Sequence, residues 1–209
     1  MRRLVTVLVV MGASFSLFPR ESAATVEEQR ARLPPPADCP DKVEGTWAAL
    51  YYTKHHSWSE YTVVIRRSSP AAEKDQGGPI EVDMKAHIWD GPANTHAPPA
   101  CTPTQREVTV TMPGKGTVDA SMRLAFGAKT YAVESVVCGS DTRYHPDNFT
   151  GQVDSAIQEF QSVNNDGATA VNEPVVFRRV RCLGGPVRGT SLATPPAFAP
   201  PKRNWSCSR

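Results

Sequence analysis

The sequence predicts an all-β domain, mainly antiparallel and either closed as a barrel or stacked as a sandwich, with one short helix near residues 153–161. Three observations carry that prediction. Apolar and polar side chains alternate with a period of two along most of the chain. Clusters of Gly, Pro, Asn and Asp interrupt the alternation at intervals that suit turns. Only one stretch departs from it with helical spacing, Val153, Ile157 and Phe160.

The elements follow in chain order. Arg2 and Arg3 precede an apolar run, Leu4 to Phe18, and small residues stand at Ser22 and Ala24. This is the pattern of a signal peptide over residues 1–24, cleaved after Ala24. The run is too short to span a bilayer, so no stable membrane insertion is expected after cleavage. Residues 25–38 end in three prolines and read as an extended linker. The domain proper covers residues 39–182. Residues 183–209, with Gly-Gly and two Pro-Pro pairs, read as a flexible tail.

Inside the domain, residues 46–53 and 60–67 read as strands. Residues 80–88 give the clearest alternation, with Ile80, Val82, Met84, Ala86 and Ile88 on one side and Glu81, Asp83, Lys85 and His87 on the other. Val108, Val110 and Met112 repeat it, then Val118 to Phe126. Strands at 129–137 and 174–182 complete a set of about seven. Pro113-Gly114 reads as a break between strands, and Gly127-Ala128 as a tight hairpin joining 118–126 to 129–137.

The chain has five cysteines. In an oxidising compartment most of them pair. The sequence does not fix connectivity. Cys39 and Cys182 bracket the domain while Cys101 and Cys138 lie within it, which favours Cys39–Cys182 and Cys101–Cys138. Cys207 is then left as a free or interchain thiol. Localisation is expected to be secreted, extracellular or periplasmic.

Removing residues 1–24 takes away three arginines and one glutamate, so 23 basic and 21 acidic residues become 20 of each. A neutral chain lacks the electrostatic footprint of a phosphate-backbone binder; nucleic acid is not expected as a partner. No H-E-x-x-H, G-x-S-x-G, glycine-rich phosphate loop or C-x-x-C occurs. No catalytic residues are assigned.

Gly45-Thr46-Trp47 opens the first strand, and Arg178-Arg179 lies in the last. In this pairing the chain resembles the lipocalin-type β-barrels. The resemblance implies a barrel in which a late arginine, here Arg178 or Arg179, packs across the ring of Trp47. If the domain closes as a barrel, a ligand pocket is expected at its mouth, where the cavities of small barrels lie.

The stretch from Phe160 to Arg179 is rich in Asn and Asp. Ser162, Asn164, Asp166 and Glu173 stand at positions 1, 3, 5 and 12 of an EF-hand-like spacing, with Gly167 at the sharp turn. Oxygen-bearing side chains in that pattern converge on calcium. Pro174 after Glu173 stops an exiting helix, so a full EF-hand is ruled out. Calcium is the one cofactor considered and none is otherwise expected. The competing reading is a loop whose Asn and Asp side chains bond their own backbone. Asn164, Asn165, Asp166, Asn172 and Glu173 are also candidate ligand contacts, as are Trp58 and Trp89, whose rings could stack on a sugar.

The function expected is therefore a non-catalytic secreted domain that binds a small apolar molecule or a sugar through a loop-lined surface or cavity. A structural or protein-interaction module is the alternative. A hydrolase built from dispersed acids (Asp141, Asp147, Asp154 and Glu159) is the third. The partners considered are accordingly a small molecule, a glycan or an extracellular protein.

Overall fold

The computed structural model describes residues 25–68, 77–102, 104–139 and 143–184. Residues 1–24, expected to be a signal peptide, lie outside the described residues, as do Asp141, Cys207 and nearly all of the expected tail. A short helix, α1 (Val26–Arg32), precedes nine strands: β1 (Gly45–Tyr52), β2 (Ser57–Arg67), β3 (Gly78–Asp90), β4 (Glu107–Val118), β5 (Arg123–Ala128), β6 (Ala132–Cys138), β7 (Asn148–Asp154), β8 (Glu159–Asn164) and β9 (Glu173–Arg181).

Every pairing is antiparallel. The strands run in the order β3-β2-β1-β9-β8-β7-β5-β4, and β4 pairs back onto β3, so eight strands close a barrel. Of the two architectures open to the sequence, the barrel forms. Its inward side chains are the apolar set of the alternation. Ile80, Val82, Met84, Ala86 and Ile88 on β3 are all at most 5% exposed. Their outward neighbours Glu81, Asp83 and Lys85 are exposed, the opposite of a lipid-facing band.

The interior is full. Phe149 meets Phe177 at 5.0 Å and Phe126 at 5.5 Å between ring centres, and Phe160 meets Phe177 at 5.7 Å. Tyr61 stands edge-on to Phe149 at 5.4 Å. All five rings are buried. Interlocked rings of this size supply a large share of the apolar area that stabilises a domain.

Two disulfides tie the chain, Cys39–Cys182 and Cys101–Cys138. The first joins the segment before β1 to the end of β9. That segment seals the lower end of the barrel. Asp41 accepts from the backbone N–H groups of Val43 and Glu44, both at 2.7 Å, and pairs with Arg67 at 2.9 Å. Burial alone would raise its carboxyl, but these donors hold it below the usual range.

Several expectations are corrected. Residues 153–161 are not helical. They are the end of β7, a turn at 155–158 and the start of β8. Val153 and Phe160 are cross-strand partners that both enter the core, while Ile157 sits exposed at the tip. A hairpin with a four-residue turn places two residues seven apart on one face, as a helix does.

The helix lies instead in the stretch expected to be a linker. Thr25 and Glu28 form a reciprocal capping box, the first turn is acidic and the last is basic. Leu33, the C-cap, is already extended, and Pro34 follows it; residues 34–39 carry no regular structure. The strand expected over 118–126 is broken by a turn at 119–122, where the Asp119 carboxylate accepts from the N–H groups of Ser121 and Arg123. Pro113-Gly114 is no break, since β4 runs through it. Its glycines serve close approach: a Cβ on Gly116 would lie 2.1 Å from the carbonyl oxygen of Ala125 on β5.

Gly127-Ala128 makes no hairpin either. β5 and β6 both pair with β4, β5 along 114–118 and β6 along 107–111, so they lie end to end. Of β5 and β6, only β5 goes on to pair with β7. At that point β6 leaves the barrel wall.

Candidate functional site at the upper end of the barrel

The upper end is where β1 and β3 finish and β2, β4 and β9 begin. Two loops close over it. The Glu173 carboxylate accepts from the N–H of Lys54, and His55 Nε2 lies 3.1 Å from the Thr169 carbonyl oxygen. The β1–β2 loop is thus pinned to the β8–β9 loop.

Beneath them lies a buried polar cluster. Asp147, just before β7, is 2% exposed. Tyr61 on β2 donates to its Oδ2 at 2.9 Å, and Tyr144 donates to the same oxygen. Asn164 Nδ2 donates to Oδ1 at 2.6 Å. The alternation places these groups: Tyr61 continues the inward row of Val63 and Ile65, and Asn164 continues that of Phe160 and Ser162.

All of these donors to Asp147 are neutral. Burial therefore dominates and pushes its carboxyl up to about 6, against the lowering effect of its hydrogen bonds. The same burial, with Asp147 beside them, drives the Tyr61 and Tyr144 hydroxyls well above their ordinary value. Glu173 is raised by partial burial. The other buried carboxylates have cationic partners. Glu159 takes Arg30 at 2.8 Å and Arg178 at 2.9 Å.

The residues predicted from the Asn/Asp-rich stretch are partly brought together. Asn164 and Glu173 are register partners, and Asn164 reaches Asp147. Ser162 gives its hydroxyl to the Val175 carbonyl. Asp166 turns both oxygens onto its own loop, to Ala168 N, Ala170 N and Thr169 Oγ1. Asn165 and Asn172 are exposed, and Asn172 adopts a left-handed φ of 52°. Among the described residues the one convergent group of possible metal ligands is Cys101, Glu107 and Cys138. Its two sulfurs are bonded to each other.

Trp58 and Trp89 stack on each other at 6.2 Å on the outside of the wall, with Tyr52 beside Trp58. Both are buried, beneath Arg32 of α1, His96 and the loop after β3. Their faces are spent on packing.

Of the dispersed acids, Asp154 and Glu159 are register partners across the β7–β8 turn. Asp154 bonds the N–H of Ala156, and Glu159 holds its two arginines. The sequence signalled Asp147 only as one acid among several. Its partners Tyr61 and Tyr144 carried no signal beyond strand position.

On the outer wall His87 stands between two carboxylates, Glu60 at 3.5 Å and Glu107 at 3.3 Å. The hydrogen bond to Glu60 first, and that to Glu107, raise its pKa against the opposing effect of burial. The two carboxylates approach different ring nitrogens.

Comparison with family models, with curated proteins and with solved structures finds no match. The closed antiparallel barrel is compatible with a lipocalin-like plan, and of the two late arginines Arg179 is the one that lies over Trp47. Two disulfides fit an oxidising compartment. Among the described residues no helix is long and apolar enough to cross a membrane.

Proposed function

We propose that this chain is an exported, non-catalytic β-barrel that works as an interaction module, engaging a macromolecular partner with its outer wall and upper loops. One observation carries the reading: the barrel interior is occupied by its own aromatic rings, with centres 5.0–5.7 Å apart. A carrier of small apolar molecules needs a concave cavity of several hundred Å³. The buried carboxylates Asp41, Asp147 and Glu159 are each engaged by donors of the barrel, which speaks against a hydrolase. Kinship with the lipocalin-type barrels is part of the proposal, supported by Trp47 and Arg179.

The test is titration of the exported chain with a fluorescent fatty acid and with a set of soluble oligosaccharides. The expected result is no saturable binding to either. Stoichiometric uptake with quenching of Trp47, which lines the interior, would overturn the reading.

A second reading has its own support. Asp147 is a buried carboxylate ringed by tyrosines, and such a site suits a small cationic ligand. Displacement of the Tyr61 and Tyr144 hydroxyl signals in an NMR titration with simple alkylammonium ions would favour it.

A further inference from the structure

We propose that two copies of this chain associate edge to edge through β6, an inference that rests on the interaction role proposed above. β6 pairs with β4 along one edge, and among the described residues no strand takes its other edge. Exposed edges of this kind are templates for a further strand.

The strand is also bare on its faces. Val133 and Val136 stand opposite the core residues Val110 and Val108, yet are 45% and 46% exposed. The core face of the wall therefore continues onto β6 without a cover. The edge is held in place at both ends. Cys138 is bonded to Cys101, and Tyr131, just before β6, packs against Tyr144.

The sequence of the strand selects a second copy as the occupant. Register shifts against β4 leave Glu134 and Val137 as the extra residues. Val133 and Val136 face the core side, and Ala132, Glu134, Ser135 and Val137 face outward. That pattern (out, in, out, out, in, out) reads the same in both directions. An antiparallel two-fold pairing centred between Glu134 and Ser135 sets Val133 against Val136 twice and Ala132 against Val137 twice. Glu134 meets Ser135, so no like charges oppose, and Glu134 keeps its bond to Lys85. A second observation points the same way. The chain has five cysteines and two internal disulfides, which leaves Cys207 available for a bond to another molecule.

Sedimentation velocity on the exported chain carrying Cys207→Ser tests the pairing without the covalent link. A reversible dimer is expected from micromolar to near-millimolar concentration. Val133→Lys with Val136→Lys should weaken it about tenfold or more. Val163→Lys, at another exposed valine on β8, should leave it unchanged. Amide exchange of Val133 to Val137 should slow as the concentration rises, which keeps the test decisive if the double variant does not fold. A chain that stays monomeric throughout, or a dimer indifferent to the double substitution, overturns the pairing. Monomer without interior uptake of fatty acid removes only the self-pairing; uptake of fatty acid removes the interaction reading itself.

Discussion

The Arg179 guanidinium lies 5.2 Å from the centre of the Trp47 ring, with no exposure to solvent. Its nitrogens donate to the Gln158 side chain and to the carbonyls of Asp41 and Glu44, while Trp47 Nε1 donates to the Val43 carbonyl. The pair therefore joins β1, β9, the β7–β8 turn and the segment that seals the lower end. Arg179→Met leaves these neutral acceptors without their donor and is expected to cost about 1–3 kcal/mol in urea denaturation. Arg179→Lys keeps the charge but loses the planar fork, and should recover only part of that.

Asp147 sets the acid side of the stability profile. Its carboxyl titrates near 6 in the folded chain, against an ordinary value of 3.8. The native state thus holds its proton more tightly than the unfolded chain. Stability should fall as pH rises from about 4 to about 6, by roughly 2–3 kcal/mol in total. Asp147→Asn should flatten that window. A profile unchanged by the substitution would remove Asp147 as its source.

Gln29 closes a gap in the barrel. β1 and β9 pair only over Thr46–Ala48. Above that, the Gln29 side chain donates to the Pro174 carbonyl at 3.0 Å and accepts from the N–H of Val176 at 2.9 Å. Gln29→Ala leaves both without this partner and should cost about 1–3 kcal/mol. Faster exchange of the Val176 amide is the specific readout.

The Cys39–Cys182 bond spans a sequence separation of 143. Loop-closure entropy makes its removal worth about 4–5 kcal/mol. Replacing both cysteines by alanine should lower the melting temperature far more than a substitution on the outer wall, by calorimetry under identical conditions.

The barrel was legible because its strands are wet on one side. β3 shows this best, with Ile80 to Ile88 alternating without interruption. β7 and β8 were not, because each is short and their inward residues Val153 and Phe160 stand at a spacing that mimics a helix. α1 was masked by the prolines that follow it, although Thr25-x-x-Glu28 is a start signal. The break between β5 and β6 was hidden for another reason: both contribute to β4, and pairing partners are set by tertiary closure, not local pattern. The polar cluster was half visible. Asp147 stands in the sequence as one of several dispersed acids and Asn164 as part of the EF-hand-like spacing, but only the closed wall brings Tyr61 to Asp147 across more than eighty residues of chain.

The closure between β1 and β9 has a kinetic meaning. β1, the first strand of the barrel, finds its last neighbour only when residues 178–181 are free to fold. Such long-range closure is slow to form. Until then β1 must wait half-paired with β2, its aromatic face open to water and to other chains. Premature oxidation of Cys39 with Cys101 or Cys138 is the natural error of that interval, so a disulfide-exchange catalyst would govern how much of the protein reaches its native form.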